Sequence, residues 1–98
     1  MLVRIVKMVF REDAIKPFQQ LFESRKELIR NFEGCRHLEL WQDKNNASTF
    51  FTYSLWQSEE ALNNYRQSHF FDDTWLQTKQ LFAAKPEAWS VQQMVVMQ

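Results

Sequence analysis

Residues 35–56 read CRHLELWQDKNNASTFFTYSLW. Two runs, CRHLELWQD (35–43) and TFFTYSLW (49–56), flank the polar segment KNNAS. The first alternates in polarity and the second is rich in aromatic and β-branched residues, so both predict strands. Asn45 and Asn46 tolerate turn geometry, and the pair predicts an antiparallel hairpin with a short loop. Side chains alternate along a strand. Phe51, Tyr53 and Leu55 therefore face one way, and Phe50, Thr52, Ser54 and Trp56 face the other.

Upstream, LVRIVKMVF (2–10) predicts a further strand. Leu2, Val6, Met8 and Phe10 share one face, while Val3, Ile5 and Val9 share the other. A strand apolar on both faces is covered on both. REDAIK then predicts a turn, with Asp13 as a helix N-cap. Pro17 belongs in a first turn, so the helix cannot begin much earlier. From Phe18 the apolar period becomes helical through Leu21, Phe22, Leu28, Ile29 and Phe32. Arg25 interrupts that stripe and is expected to extend its head to solvent, the alternative being a pair with an acid or a ligand anion. Gly34, the chain's single glycine, is expected to close the helix.

Downstream of the hairpin, Ser58 predicts an N-cap, and Glu59 and Glu60 suit the positive end of a helix. Ala61, Leu62 and Tyr65 give that short helix its apolar stripe. Ser68 predicts a second cap, and Phe71, Trp75, Thr78 and Phe82 the face of a third helix. KPE (85–87) breaks the pattern before AWSVQQMVVM (88–97), which predicts a fourth strand.

The order β-α-β-β-α(α)-β matches the ferredoxin-like split βαβ plan, an α+β fold. Its four-stranded antiparallel sheet carries helices on one face. The second apolar face predicts a second copy as its cover, giving a homodimer through the sheet face. A chain of 98 residues fits a single domain, 1–98. Nine Phe, four Trp and two Tyr exceed the needs of so small a core. Some are expected at an interface or around a flat ligand, where aromatics supply large contact area.

Twelve basic and twelve acidic residues balance to zero net charge, with no basic run, so no nucleic-acid footprint is present. A lone cysteine, Cys35, cannot form an internal disulfide and gives no reason to invoke an oxidising compartment. Its setting offers no activating base, so it reads as a small buried apolar residue. No stretch has the length of a membrane span, and the N-terminus enters a strand pattern directly. The expected location is cytoplasmic.

Candidate site residues cluster late in the chain. Trp56 shares its strand face with Thr52 and Ser54, two small hydroxyl residues that fill a core poorly and offer hydrogen bonds. That combination predicts a pocket beneath the helices, with Trp56 as core anchor or pocket wall. Tyr65, Phe71 and Trp75 are expected to point at the same place or to pack. His69 is the acid–base candidate, because a histidine titrates near neutrality; the alternative is a surface histidine beside a helix cap. His37 and Glu39 alternate on one strand, but two ligands do not make a metal site.

The segments EGCRHLELWQD and FTYSLWQSEEALNNYRQSHFF resemble the antibiotic biosynthesis monooxygenase domain family. Glu33-Gly34-Cys35, Tyr53 to Trp56, Ser58 with Ala61, and His69-Phe70 carry the likeness. The resemblance implies a dimeric α/β barrel with one pocket per subunit. It also implies oxidation of a small aromatic or quinol-type molecule by O₂ without metal, flavin or haem. On that reading His69, Trp56 and Tyr65 would be catalytic, and Thr52, Ser54, Phe71 and Trp75 would bind substrate. Thr52 and Leu62 stand where such relatives carry an asparagine and a tyrosine, with Tyr65 as the substitute. Val6, Tyr65 and Trp75 occupy the positions of the Asn, Trp and His used by haem-degrading relatives, so haem degradation is not expected. No anion cluster is evident for phosphorylated substrates. The alternative is a dimer that holds a small ligand without turning it over.

Overall fold

The computed structural model describes residues 1–98. Strand β1 spans Leu2–Val9, helix α1 Ile15–Arg30, strands β2 Cys35–Gln42 and β3 Thr49–Trp56. Helices α2 (Glu59–Arg66) and α3 (His69–Lys79) follow, and β4 (Glu87–Gln92) ends the ordered elements. The sheet order is β2-β3-β1-β4, and every neighbouring pair is antiparallel. This is the ferredoxin-like arrangement, with the first and third strands at the centre.

Local chemistry explains most boundaries. Ser58 accepts a hydrogen bond from the Ala61 backbone N–H, and Ser68 accepts one from Phe71, so both later helices carry the expected caps. Asp13 does not cap α1. It lies in a 3-10 turn, Glu12–Ala14, and α1 starts after Ala14 without a side-chain cap. Pro17 falls in the first turn of α1, where its missing N–H costs nothing. Gly34 has φ of +88°, and a Cβ there would collide with the Ala61 Cβ. Both the left-handed backbone and the close approach to α2 require glycine.

Two further points differ from the leading expectation. The fourth strand spans Glu87–Gln92 rather than 88–97, and its last residue, Gln92, pairs with Leu2, the first residue of β1. Arg25 does not extend freely into solvent. Its guanidinium donates to Asp73 and Thr74 at 2.9 Å each and lies over the Phe70 ring, tying α1 to α3.

A bulge between Cys35 and His37 turns Cys35 to the side of Trp56 and His37 to the side of Leu55. The sheet thus has two distinct faces. Met8, Phe10, Cys35, Phe50 and Trp56 pack under the helices. The opposite face carries Ile5, Phe51, Tyr53, Trp41 and Trp89 and has no helix over it.

Candidate functional site

The layer between sheet and helices contains two buried clusters. One is built from Met8, Phe10, Ala14, Phe18 and Phe50. The other joins Ile29, Cys35, Trp56, Leu62 and Tyr65. Between them lies a cavity of about 250 Å³, walled by Met8 and Phe18 on one side and by Trp56, Leu62 and Tyr65 on the other. The apolar walls and few polar groups suit a small ligand.

Strand and helix geometry explain which residues reach it. Thr52 lies in register between Val6 and Leu40, and its small side chain leaves the central floor open. Phe71, Trp75 and Thr78 are spaced i, i+4 and i+7 on α3, so all three point inward. Trp56, Tyr65, Thr52, Ser54, Phe71 and Trp75 all line the cavity, so the structure brings these six predicted positions together. The aromatic members are continuous. Tyr65 stacks on Trp56 with centroids 5.0 Å apart, meets Phe71 edge-on at 5.1 Å, and Phe71 stacks on Trp75 at 5.9 Å.

His69 is not part of this wall. It is exposed at the first residue of α3 and is absent from the cavity lining. Two residues separate it from Phe71, which is about 200° around a helix of 3.6 residues per turn. A proton-transfer role in the cavity therefore lacks its geometric requirement.

Ser54 also differs from expectation. The Trp56 indole N–H donates to Ser54 Oγ at 2.9 Å, and Ser54 Oγ itself approaches the Arg4 carbonyl at 3.4 Å. Its hydroxyl is committed to holding the buried indole rather than free for a ligand. Tyr65 is the contrasting case. Burial, and secondarily the neighbouring Cys35, push its phenol pKa upward. The phenol is therefore neutral across the physiological range and acts as a hydrogen-bond donor. No side chain or backbone group of the chain pairs with that hydroxyl, and it is not sealed from solvent. The Cys35 thiol is likewise raised by burial, which keeps it protonated and inert.

The lining also contains two cationic residues outside the predicted set, Arg4 and Arg66. Arg4 has the same strand parity as Val6 and Met8, so LVRIVKMVF already placed a guanidinium among apolar residues on the covered face. Arg66 directly follows Tyr65 at the end of α2.

Three helices over one face of an antiparallel 2-3-1-4 sheet, with an apolar cavity between the layers, define the class: a ferredoxin-like α+β protein. The family profile described as antibiotic biosynthesis monooxygenase matches residues 1–78, and the chain belongs to that family. Solved structures agree on the fold. An antibiotic biosynthesis monooxygenase crystal structure superposes with a TM-score of 0.90 at 17% identity, covering 97% of this chain and 100% of that one. A Mycobacterium tuberculosis protein gives 0.89 at 18% identity, with 99% and 98% covered. A conserved protein from Methanosarcina mazei Go1 gives 0.86 at 20% identity, with 93% and 91% covered. Among curated proteins none matches the chain. No helix is long and apolar enough to cross a membrane.

Proposed function

We propose that the protein is a cofactor-independent monooxygenase that oxidises a small aromatic or quinol-type molecule in the cavity beneath its helices. The observation that carries this is the aromatic-walled cavity with a free, neutral Tyr65 hydroxyl beside Trp56. Family membership supports the oxygenase class.

Flat walls from Trp56, Phe71 and Trp75 would orient a planar ring against the Tyr65 hydroxyl, with the cavity open to solvent at one side. The Tyr65 O–H would donate to the substrate oxygen as it gains negative charge, which favours loss of a substrate proton to solvent. The resulting carbanion would transfer an electron to O₂. The radical pair would combine into a carbon peroxide, and loss of water would leave a carbonyl. One oxygen atom enters the product and the other leaves as water. A CH₂ group supplies all four electrons, so no external reductant is needed. The chain's part is to position and stabilise the anion. His69 has no part in this scheme.

Oxygen-electrode assays across quinols and anthrone-type phenols test the proposal. Uptake is expected for at least one compound, with Tyr65→Phe reducing the rate about 10²-fold or more, the scale of a lost oxyanion donor. A Trp56→Ala variant is expected to be inactive, and a thermal melt separates that loss from unfolding. Absence of uptake across the panel, or an unchanged rate in Tyr65→Phe, would count against oxygenase chemistry.

We infer also that a second copy covers the outer sheet face. Trp41 stacks on Tyr53 there at 5.1 Å, yet Trp41 is 41% exposed and Trp89 44%. Contiguous exposed aromatics of this kind mark association surfaces. The face's polar groups are already partnered: Glu39 accepts from Trp41 Nε1 at 2.7 Å and pairs with His37. Light scattering at micromolar concentration is expected to give a dimer, and Trp89→Glu a monomer. A monomeric wild type would contradict the covered face.

A further inference from the structure

Arg4 and Arg66 share an unusual situation. Both line the cavity, one from the central strand and one from the last residue of α2. Neither has a carboxylate within ion-pair distance; the chain's ion pairs use Lys7, Arg11, Arg25, Lys26 and His37. Arg4 is held only by the neutral Ser90 hydroxyl, at 3.0 Å. The single acidic residue along the cavity is Glu87, and its carboxylate lies 3.9 Å from Lys7. Burial, and then the nearby Arg66 charge, lower the Arg4 pKa.

Arg66 is exposed at the end of α2, whereas Arg4 is half-buried on the central strand with only a neutral hydroxyl beside it. Arg66 does gain from the negative end of α2, which explains its place on the helix. It does not explain a second cation converging on the same apolar cavity without a counter-charge. Guanidiniums present donors in a planar fork matched to oxyanions, and an oxyanion between them would supply the counter-charge.

We propose that the cavity takes a flat aromatic ligand bearing an oxyanion, a carboxylate or a phosphate monoester, which Arg4 and Arg66 clamp while the ring lies against Trp56 and Phe71. This names the substrate class for the cavity and rests on the cavity being the ligand site.

The test is isothermal titration of the full-length protein with 2-naphthoate, 2-naphthyl phosphate and the neutral isostere 2-naphthamide. At least one anion is expected to bind about tenfold or more tighter than the amide, the scale of one charge-assisted hydrogen bond. The tighter of the two anions tells carboxylate from phosphate. Arg66→Gln, at an exposed helix end, is expected to abolish most of the preference. Arg4→Lys, which keeps the charge and loses the fork, is expected to reduce it. Equal binding of all three probes would overturn the clamp, as would a preference that survives the Arg4→Gln/Arg66→Gln double variant. In either case, amide binding that disappears on filling the cavity with Thr52→Leu would leave the cavity as the ligand site. Failure of every probe to bind would remove both.

Discussion

The cluster around Phe10 and the cluster around Trp56 each bury five residues in the same layer, one at either side of the cavity. Around Phe10 the rings are pure hydrocarbon. Phe10 stacks on Phe18 at 4.1 Å, and Phe50 meets Phe18 edge-on at 5.2 Å. Nothing there needs a hydrogen bond, so the rings can close on one another. Around Trp56 the rings carry an indole N–H and a phenol, and both need polar surroundings. Ser54 supplies the partner for the indole. The Tyr65 hydroxyl faces no partner from the chain. Small hydroxyl residues set beside large polar rings leave space, and that space is the cavity. The Phe10 cluster closes on itself, while the space left beside the Trp56 cluster opens into the cavity.

The sharpest break in this contrast is Phe10→Ala. Phe10 is 1% exposed, and truncation is expected to cost about 3–5 kcal/mol in chemical denaturation, the range for a buried Phe. The loss should leave intact whatever affinity the cavity has in the protein that remains folded. Gly34→Ala comes next, because the left-handed φ and the collision with Ala61 act together. About 1–3 kcal/mol is expected for such a strained position, read by the same denaturation curves. A cost under a few tenths would mean that α2 shifts freely against β2.

Ser54→Ala sharpens the contrast from the Trp56 side. It leaves the buried indole N–H unpaired and is expected to cost about 1–3 kcal/mol, with a change in tryptophan fluorescence. The smallest effect at neutral pH is expected for Tyr65→Phe. Its signature is pH dependence. The folded phenol pKa is raised, so the contribution is fully present below the unfolded value, about 10, and is lost as pH rises toward the folded one. Wild-type stability should therefore fall with alkaline pH more steeply than that of Tyr65→Phe. Parallel curves would contradict a buried, neutral Tyr65.

Much of the fold was legible because its signals are local. The hairpin turn, the Ser58 and Ser68 caps, Gly34 and the change of period at Phe18 each depend on a few adjacent residues. The end of β4 was not legible. It lies against the first residue of β1, at the opposite end of the chain. The bulge after Cys35 was hidden for a similar reason, since alternation alone puts Cys35 and His37 on one face. At the site, strand parity and helical spacing predicted six wall positions. His69 stands out in the sequence because a histidine can move a proton near neutrality, while the helix turns it away from the cavity. Arg4 shares its parity with Val6 and Met8, so its place on the covered face is legible in the sequence. Its partner Arg66 becomes its neighbour only once α2 is folded over the sheet.

If oxidation takes place in the cavity between the two clusters, Thr52→Leu shows it most directly. Leucine is expected to fill the floor between Val6 and Leu40 while the protein keeps its melting temperature. Oxygen uptake with the best phenol or quinol substrate should then fall to background. A folded Thr52→Leu variant that consumes oxygen at the wild-type rate would contradict the account.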